Sequence, residues 1–210
     1  MIASRQALLG NGDRTGTVLC MGAEGGEPVR PLLLLDVDGP LNPFAGMPDD
    51  CPEGFEVFRL MPPSWEAAER ARLAAWGLPG RGPMPLPVWL NPQHGAVLAA
   101  LPFDLVWATT WESEANAYIA PLVGLPELPF IAWPTPRPIP GGRTLWKTAE
   151  IVAWVKGRAF AWIDDEITRA DKEWVAAHHR GPALLHWVDP RLGLGPQDFA
   201  ALETWAAGTR

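Results

Sequence analysis

The chain has 210 residues, 48% of them hydrophobic and 20% charged, and a net charge of −7. That length suits one domain with a sizeable core. The acidic balance argues against a broad nucleic-acid or membrane surface, while leaving room for a small local anion site. Cys20 and Cys51 are too few for a disulfide framework and match no zinc spacing, and the four histidines form no HExxH pattern. No apolar run approaches the length of a membrane span. Residues 1–29 are Gly-rich and charge-punctuated where a secretory signal would be apolar. The expectation is a cytoplasmic protein with a poorly ordered tail over residues 1–29, within which Met21 is an alternative start, and one domain over 30–210.

The first element is announced by PLLLLDVDGPLN at residues 31–42. Leu32–Leu35 reads as a strand buried on both faces, and it ends on Asp36 with Asp38 and a Gly-Pro break behind it. An insertion over 43–90 follows. In it, Phe55–Leu60 and Leu86–Leu90 suit a β-hairpin flap, with one helix in SWEAAERARLAAW between them. A helix is expected from Pro92 to Leu101, then a strand, Leu105–Ala108, ending on Thr109 and Thr110. Glu112–Leu122 patterns as a helix despite its proline, and Phe130–Trp133 as a further strand. Lys147–Lys156 places Ile151, Val152 and Val155 on one helical face. Ala159–Ile163 is a strand ending on Asp164 and Asp165. A helix over Thr168–His178, a strand over Ala183–Val188 ending on Asp189, and a helix over Pro196–Ala207 complete the chain. Alternating strands and helices make the class α/β, a Rossmann-like, mostly parallel sheet with helices on both faces.

In open parallel sheets, ligands bind outside the carboxyl ends of the strands. Three strands here deliver Asp36/Asp38, Thr109/Thr110 and Asp164/Asp165 to that edge. One such residue alone is a turn or cap; three sets at one edge point to a site. Two carboxylates about 4 Å apart repel by about 4 kcal/mol at an effective dielectric near 20, so such a cluster takes up protons or holds a cation. With no His or Cys nearby, the fitting ion is hard and oxygen-seeking, such as Mg²⁺. Lys147 opens a predicted helix, where free backbone N–H groups already favour an anion. Trp111 is the candidate to stack on a flat group, against the alternative of core filling. Asn42, Glu112 and Asn116 are pocket candidates set against turn and helix-surface roles. His94 suggests a cap or surface position, and His178–His179 a fraying helix end. Asp189 is either at the functional edge or in a plain turn.

The ordered set of DxDG after the first strand, Thr after the second, Lys at a helix start and DD after a later strand resembles the haloacid-dehalogenase-like (HAD) hydrolase superfamily, over about three quarters of the chain. Within it, the chain looks like a compact, minimally capped, phosphatase-type member. The resemblance implies that Asp36 is a nucleophile forming an aspartyl-phosphate, and that Asp38 is the general acid and base. It implies that Thr109 holds phosphoryl oxygens with the Thr110 backbone nearby, and that Lys147 neutralises the nucleophile and the transferring group. Mg²⁺ would be bound by Asp36, the backbone carbonyl of Asp38, Asp164 and, through water, Asp165. An acid at position 38 favours phosphatases over the dehalogenase and ion-pump branches. The implied partner is a phosphorylated substrate, a small molecule or, given a fairly open site, an extended phosphoester. The alternatives are a nucleotidase or nucleic-acid-end phosphatase and, in another class, a non-catalytic phosphate-binding or scaffold module.

Overall fold

The computed structural model describes residues 29–46, 52–135 and 143–209. The expected poorly ordered N-terminal tail and the alternative start at Met21 lie outside these residues, apart from Val29. Four strands form one sheet: β1 (Leu32–Leu35), β4 (Asp104–Trp107), β5 (Phe160–Asp164) and β6 (Ala183–Trp187). Their order is β4-β1-β5-β6, and each pairing is parallel. The continuous apolar runs have the cause expected of them. Leu33 and Leu35 enter one core with Ala161 and Ile163, while Leu32 and Leu34 enter another with Phe160 and Trp162. Successive residues on a strand point to opposite faces, so a strand covered on both sides must be apolar throughout.

Helices cover each face. The first core is closed by α2 (His94–Ala100), α3 (Glu114–Tyr118), α4 (Ala120–Val123) and α7 (Pro196–Gly208), the second by α5 (Lys147–Val155) and α6 (Arg169–His178). This is a layered α/β arrangement compatible with a Rossmann-like fold. Among the described residues, no helix is long and apolar enough to cross a membrane.

The insertion after β1 contains β2 (Glu56–Leu60), α1 (Pro63–Ala75) and β3 (Leu86–Leu90). β2 and β3 pair antiparallel as a separate two-stranded flap, with α1 in the connection. That matches the expected hairpin and helix to within a residue.

Two expectations give way to proline chemistry. The helix expected over Glu112–Leu122 is two short helices, α3 and α4, parted at Ile119. Pro121 falls in the first turn of α4, where its missing N–H costs nothing, rather than inside one continuous helix. The strand expected at Phe130–Trp133 is a single bridge from Phe130 to Trp107. Prolines at 129 and 134 flank it, and neither can donate to a longer ladder.

Gly95 lets α2 pack closely against the end of α4. A Cβ there would stand 2.1 Å from the Val123 carbonyl oxygen, a backbone atom at the end of α4. Gly95→Ala should therefore destabilise the fold by about 1–3 kcal/mol, the usual cost of overpacking. Urea denaturation checks this, and an unchanged midpoint would mean that α2 and α4 can separate freely.

Candidate active site

Strand register builds the site. Leu35 pairs with Trp107 on one side and Ile163 on the other. Asp36 follows directly after Leu35, with its N–H donating to the Ile163 carbonyl at 3.1 Å, and Asp164 is the last residue of β5. Asp164 thus lies inside the strand, not after it as expected, because β6 runs on to pair Trp187 with it. Ala108 and Thr109 leave β4 at the same edge, Ala108 donating to the Leu35 carbonyl at 2.8 Å.

Lys147, the first residue of α5, joins the two outgoing aspartates. Its Nζ donates to Asp36 Oδ2 at 2.6 Å and to Asp164 Oδ2 at 2.8 Å, with all three side chains buried. The remaining carboxylate oxygens are also occupied: Asp36 Oδ1 accepts from the Val37 N–H at 2.8 Å and Asp164 Oδ1 from the Glu166 N–H at 2.9 Å. Asp36, Asp164 and Asp165 each present a carboxylate oxygen within 4.8 Å of the others. Gly39 allows this closeness. It has φ +92°, and a Cβ on it would lie 2.4 Å from the Asp165 carboxyl carbon.

One ammonium does not balance three carboxylates, and the titration behaviour reflects that. Burial works against the charge on Lys147, but Asp36 and Asp164 outweigh it and hold its pKa above the ordinary value. Burial, followed by the Asp36 charge, pushes Asp164 up against the pull of Lys147. The same two causes push Asp165 up to about 6. Such a set either keeps a proton or receives a cation. An all-oxygen donor set with surplus negative charge fits a hard divalent ion such as Mg²⁺.

Asp38 stands apart from that group. Its Oδ1 accepts from Asn42 Nδ2 at 2.8 Å and its Oδ2 from Trp111 Nε1 at 2.9 Å. These bonds turn its carboxyl toward a cavity, which leaves only its backbone carbonyl for the ligand role expected at this residue. Burial, and then the Asp36 charge, raise its pKa against those two donors. The cavity measures about 650 Å³ and is lined by Asp38, Thr110 and Trp111 together with Phe44, Trp65 and Leu86. Thr109 is buried behind it, its carbonyl accepting from Trp133 Nε1 at 2.8 Å. Of the two roles weighed for Trp111, core filling is observed, since it packs in the first core; it also lines the cavity.

Asn42 lines the cavity, donating to Asp38 and accepting from the flap's Trp89 N–H at 2.9 Å. Asn116 is structural, bonding Trp107 Nε1 and the Leu128 backbone. Glu112 has φ 48°, and its carboxylate accepts from the Trp133 N–H at 3.4 Å. Asp189 caps a turn by accepting from the Arg191 N–H at 2.9 Å. His94 is neither a cap nor on the surface. It is buried edge-on between Phe55 and Phe199, and burial lowers its pKa to about 4. His179 is likewise buried against Phe160 rather than fraying.

Two further ties emerge only in three dimensions. Asp171, fully buried in α6, accepts from the Leu145 N–H at 2.7 Å and from Thr148 Oγ1 at 2.5 Å, while its other oxygen closes a capping box with Thr168. This anchors the start of α5, and so Lys147. Glu114 accepts from the Ser64 N–H at 2.9 Å and from the Ser64 hydroxyl, tying the flap helix to α3. Thr168-x-x-Asp171 is a capping-box signature that could have been read from the sequence; the partners of Asp171 in α5 could not. No protein-family model, curated protein or solved structure matches this chain.

Proposed function

We propose that this chain is a Mg²⁺-dependent phosphomonoester hydrolase of the HAD type, acting through an aspartyl-phosphate. The observation that carries the reading is Lys147 Nζ held between Asp36 and Asp164 at 2.6 and 2.8 Å, with Asp165 beside them and Asp38 turned into the adjoining cavity. Asp36, Asp164 and Asp165 would hold the ion, whose charge would offset that of the phosphoryl oxygens. Asp36 is the nucleophile: one carboxylate oxygen bonds to phosphorus as the ester P–O bond breaks. Asp38, whose pKa burial and the Asp36 charge raise above the ordinary carboxylate value, is the proton donor to the leaving oxygen. Its carboxylate then takes a proton from the water that attacks the acyl phosphate, which releases inorganic phosphate and restores Asp36. Asn42 and Trp111 hold Asp38 in position for both transfers. Lys147 donates to Asp36 and offsets charge on the transferring group, so the residues supply positioning and electrostatics, the main needs of phosphoryl transfer.

The test is turnover of p-nitrophenyl phosphate with Mg²⁺ and with EDTA, for wild type and Asp36→Asn. Wild type should turn over with Mg²⁺ alone, and the variant should fall to the EDTA background. Equal rates in wild type and variant would refute the nucleophile and the reading with it.

A further inference from the structure

Resting on that reading, we infer that the cavity beside Asp38 takes the organic part of the substrate, and that this part is an uncharged aromatic or apolar group. The substrate class is the monophosphate ester of such an alcohol or phenol, not a nucleotide, a sugar phosphate or a nucleic-acid end.

The first argument is the fate of the polar groups in the wall. Asn42 is bonded to Asp38 and to the Trp89 N–H, and it is nearly inaccessible. The Ser64 hydroxyl and N–H are both directed at Glu114. The indole N–H of Trp65 donates to the Met84 carbonyl at 2.8 Å, and that of Trp111 to Asp38. Among the described lining side chains, only the Thr110 hydroxyl is left, besides the carboxyl that the reaction itself uses. A sugar ring or a nucleobase edge entering here would give up water at several donors and acceptors and find few replacements. What remains to meet a ligand is the ring surface of Phe44, Trp65 and Trp111, with Leu86 and Pro87. Flat apolar groups gain most from such walls.

The second argument is charge. Among the described residues, Asp38 is the only charged one lining the cavity, and no Lys or Arg lines it. A second phosphate, as in a nucleoside diphosphate or a polynucleotide, would stand next to carboxylates with no cation to balance it. The cavity volume of about 650 Å³ is ample for one or two rings.

The test combines binding and turnover. With Mg²⁺ present, calorimetry compares phenylphosphonate with methylphosphonate, which share the phosphonate head and differ only in the ring. Phenylphosphonate should bind about tenfold tighter or better. Trp65→Ala and Phe44→Ala should each remove most of that difference and leave methylphosphonate affinity unchanged. Phe44 is half exposed, so its variant guards against a folding defect in the other. In turnover, 1-naphthyl phosphate should exceed AMP and glycerol phosphate in kcat/KM. Equal affinity for the two phosphonates, or a preference for AMP, overturns the inference. A tenfold ring preference in binding with no turnover of any ester would leave the inference standing and sink the hydrolase reading. If neither phosphonate binds, both fall.

Discussion

Lys147→Met should be the most destabilising single substitution at this site, costing about 4 kcal/mol at pH 7 in EDTA and only about 1.5 kcal/mol at pH 5. The side chain is almost wholly buried, and among the described residues its ammonium is the one cation bonded to Asp36 and Asp164. Methionine fills similar space and removes the charge, leaving the two buried carboxyl groups without their counter-ion. Breaking a buried ion pair in this way typically costs about 3–5 kcal/mol. The protein has a way to limit the loss, which is to bind one proton more on these carboxyls than wild type does. From an unperturbed pKa near 3.9, that costs roughly 1.36 kcal/mol per pH unit, hence about 4 kcal/mol at pH 7 and about 1.5 at pH 5. The sign follows from the direction of the shift. A carboxyl whose pKa is raised in the folded state binds its proton more tightly there, so folding gains as pH falls. The variant should therefore recover most of its deficit relative to wild type on acidification. Chemical denaturation of both proteins at the two pH values measures this. A deficit that is equal at pH 5 and pH 7, or under 1 kcal/mol at pH 7, would show that Lys147 does not neutralise this pair.

How far the sequence could be read depended on whether the deciding partner was local. β1 and β5 were legible because burial on both faces leaves no polar position, so the run is continuous and its polar end abrupt. The convergence of Asp36, Asp164 and Lys147 followed from those ends, since parallel strands in register bring their carboxyl termini to one edge. The boundary at Asp164 was less legible: whether a strand continues one residue further is decided by its neighbour, here Trp187 on β6. The break in the helix after Thr110 is written in Pro121, although the apolar pattern around it runs on as if the helix were continuous. His94 was illegible in principle. Nothing adjacent to it in sequence buries it; Phe55 from the flap region and Phe199 from the last helix do. The same holds for Ser64 with Glu114, 50 residues apart, and for Asn42 with Trp89, 47 apart. Those two ties fix the flap against the motif residues, so the character of the substrate cavity could not be derived from spacing. Spacing suggested an open site and kept nucleotides and nucleic-acid ends as alternatives, whereas the bonded wall around Asp38 argues for an apolar guest.

Mg²⁺ should stabilise the wild-type fold, increasingly so as pH rises from 5 to 8, and Asp164→Ala should lose most of that effect. In the metal-free protein, Asp164 and Asp165 both have raised pKa values, the latter about 6, because burial and the Asp36 charge oppose their ionisation. A divalent ion on this set must displace the protons held there. Its affinity should therefore climb by up to tenfold per pH unit for each proton displaced, through the window in which those carboxyls titrate. At an ion concentration about 100 times Kd, mass action adds about 2.7 kcal/mol. For a chain of this size that is a rise of about 5–11 °C in Tm. Asp164→Ala removes one carboxylate from the three, and with it a charge that burial disfavours. It also takes from Lys147 one of two acceptors and from the Glu166 N–H its partner. These losses oppose the gain from relieved repulsion, so the metal-free variant should melt level with wild type or slightly above it. The contrast is what identifies a ligand: a residue holding the fold lowers Tm in EDTA, whereas a residue holding the ion lowers only the increment. Thermal denaturation across a Mg²⁺ titration at pH 5, 6.5 and 8 separates the two. An increment that is the same in variant and wild type, or one that does not grow with pH, would mean that the ion is not held by this cluster.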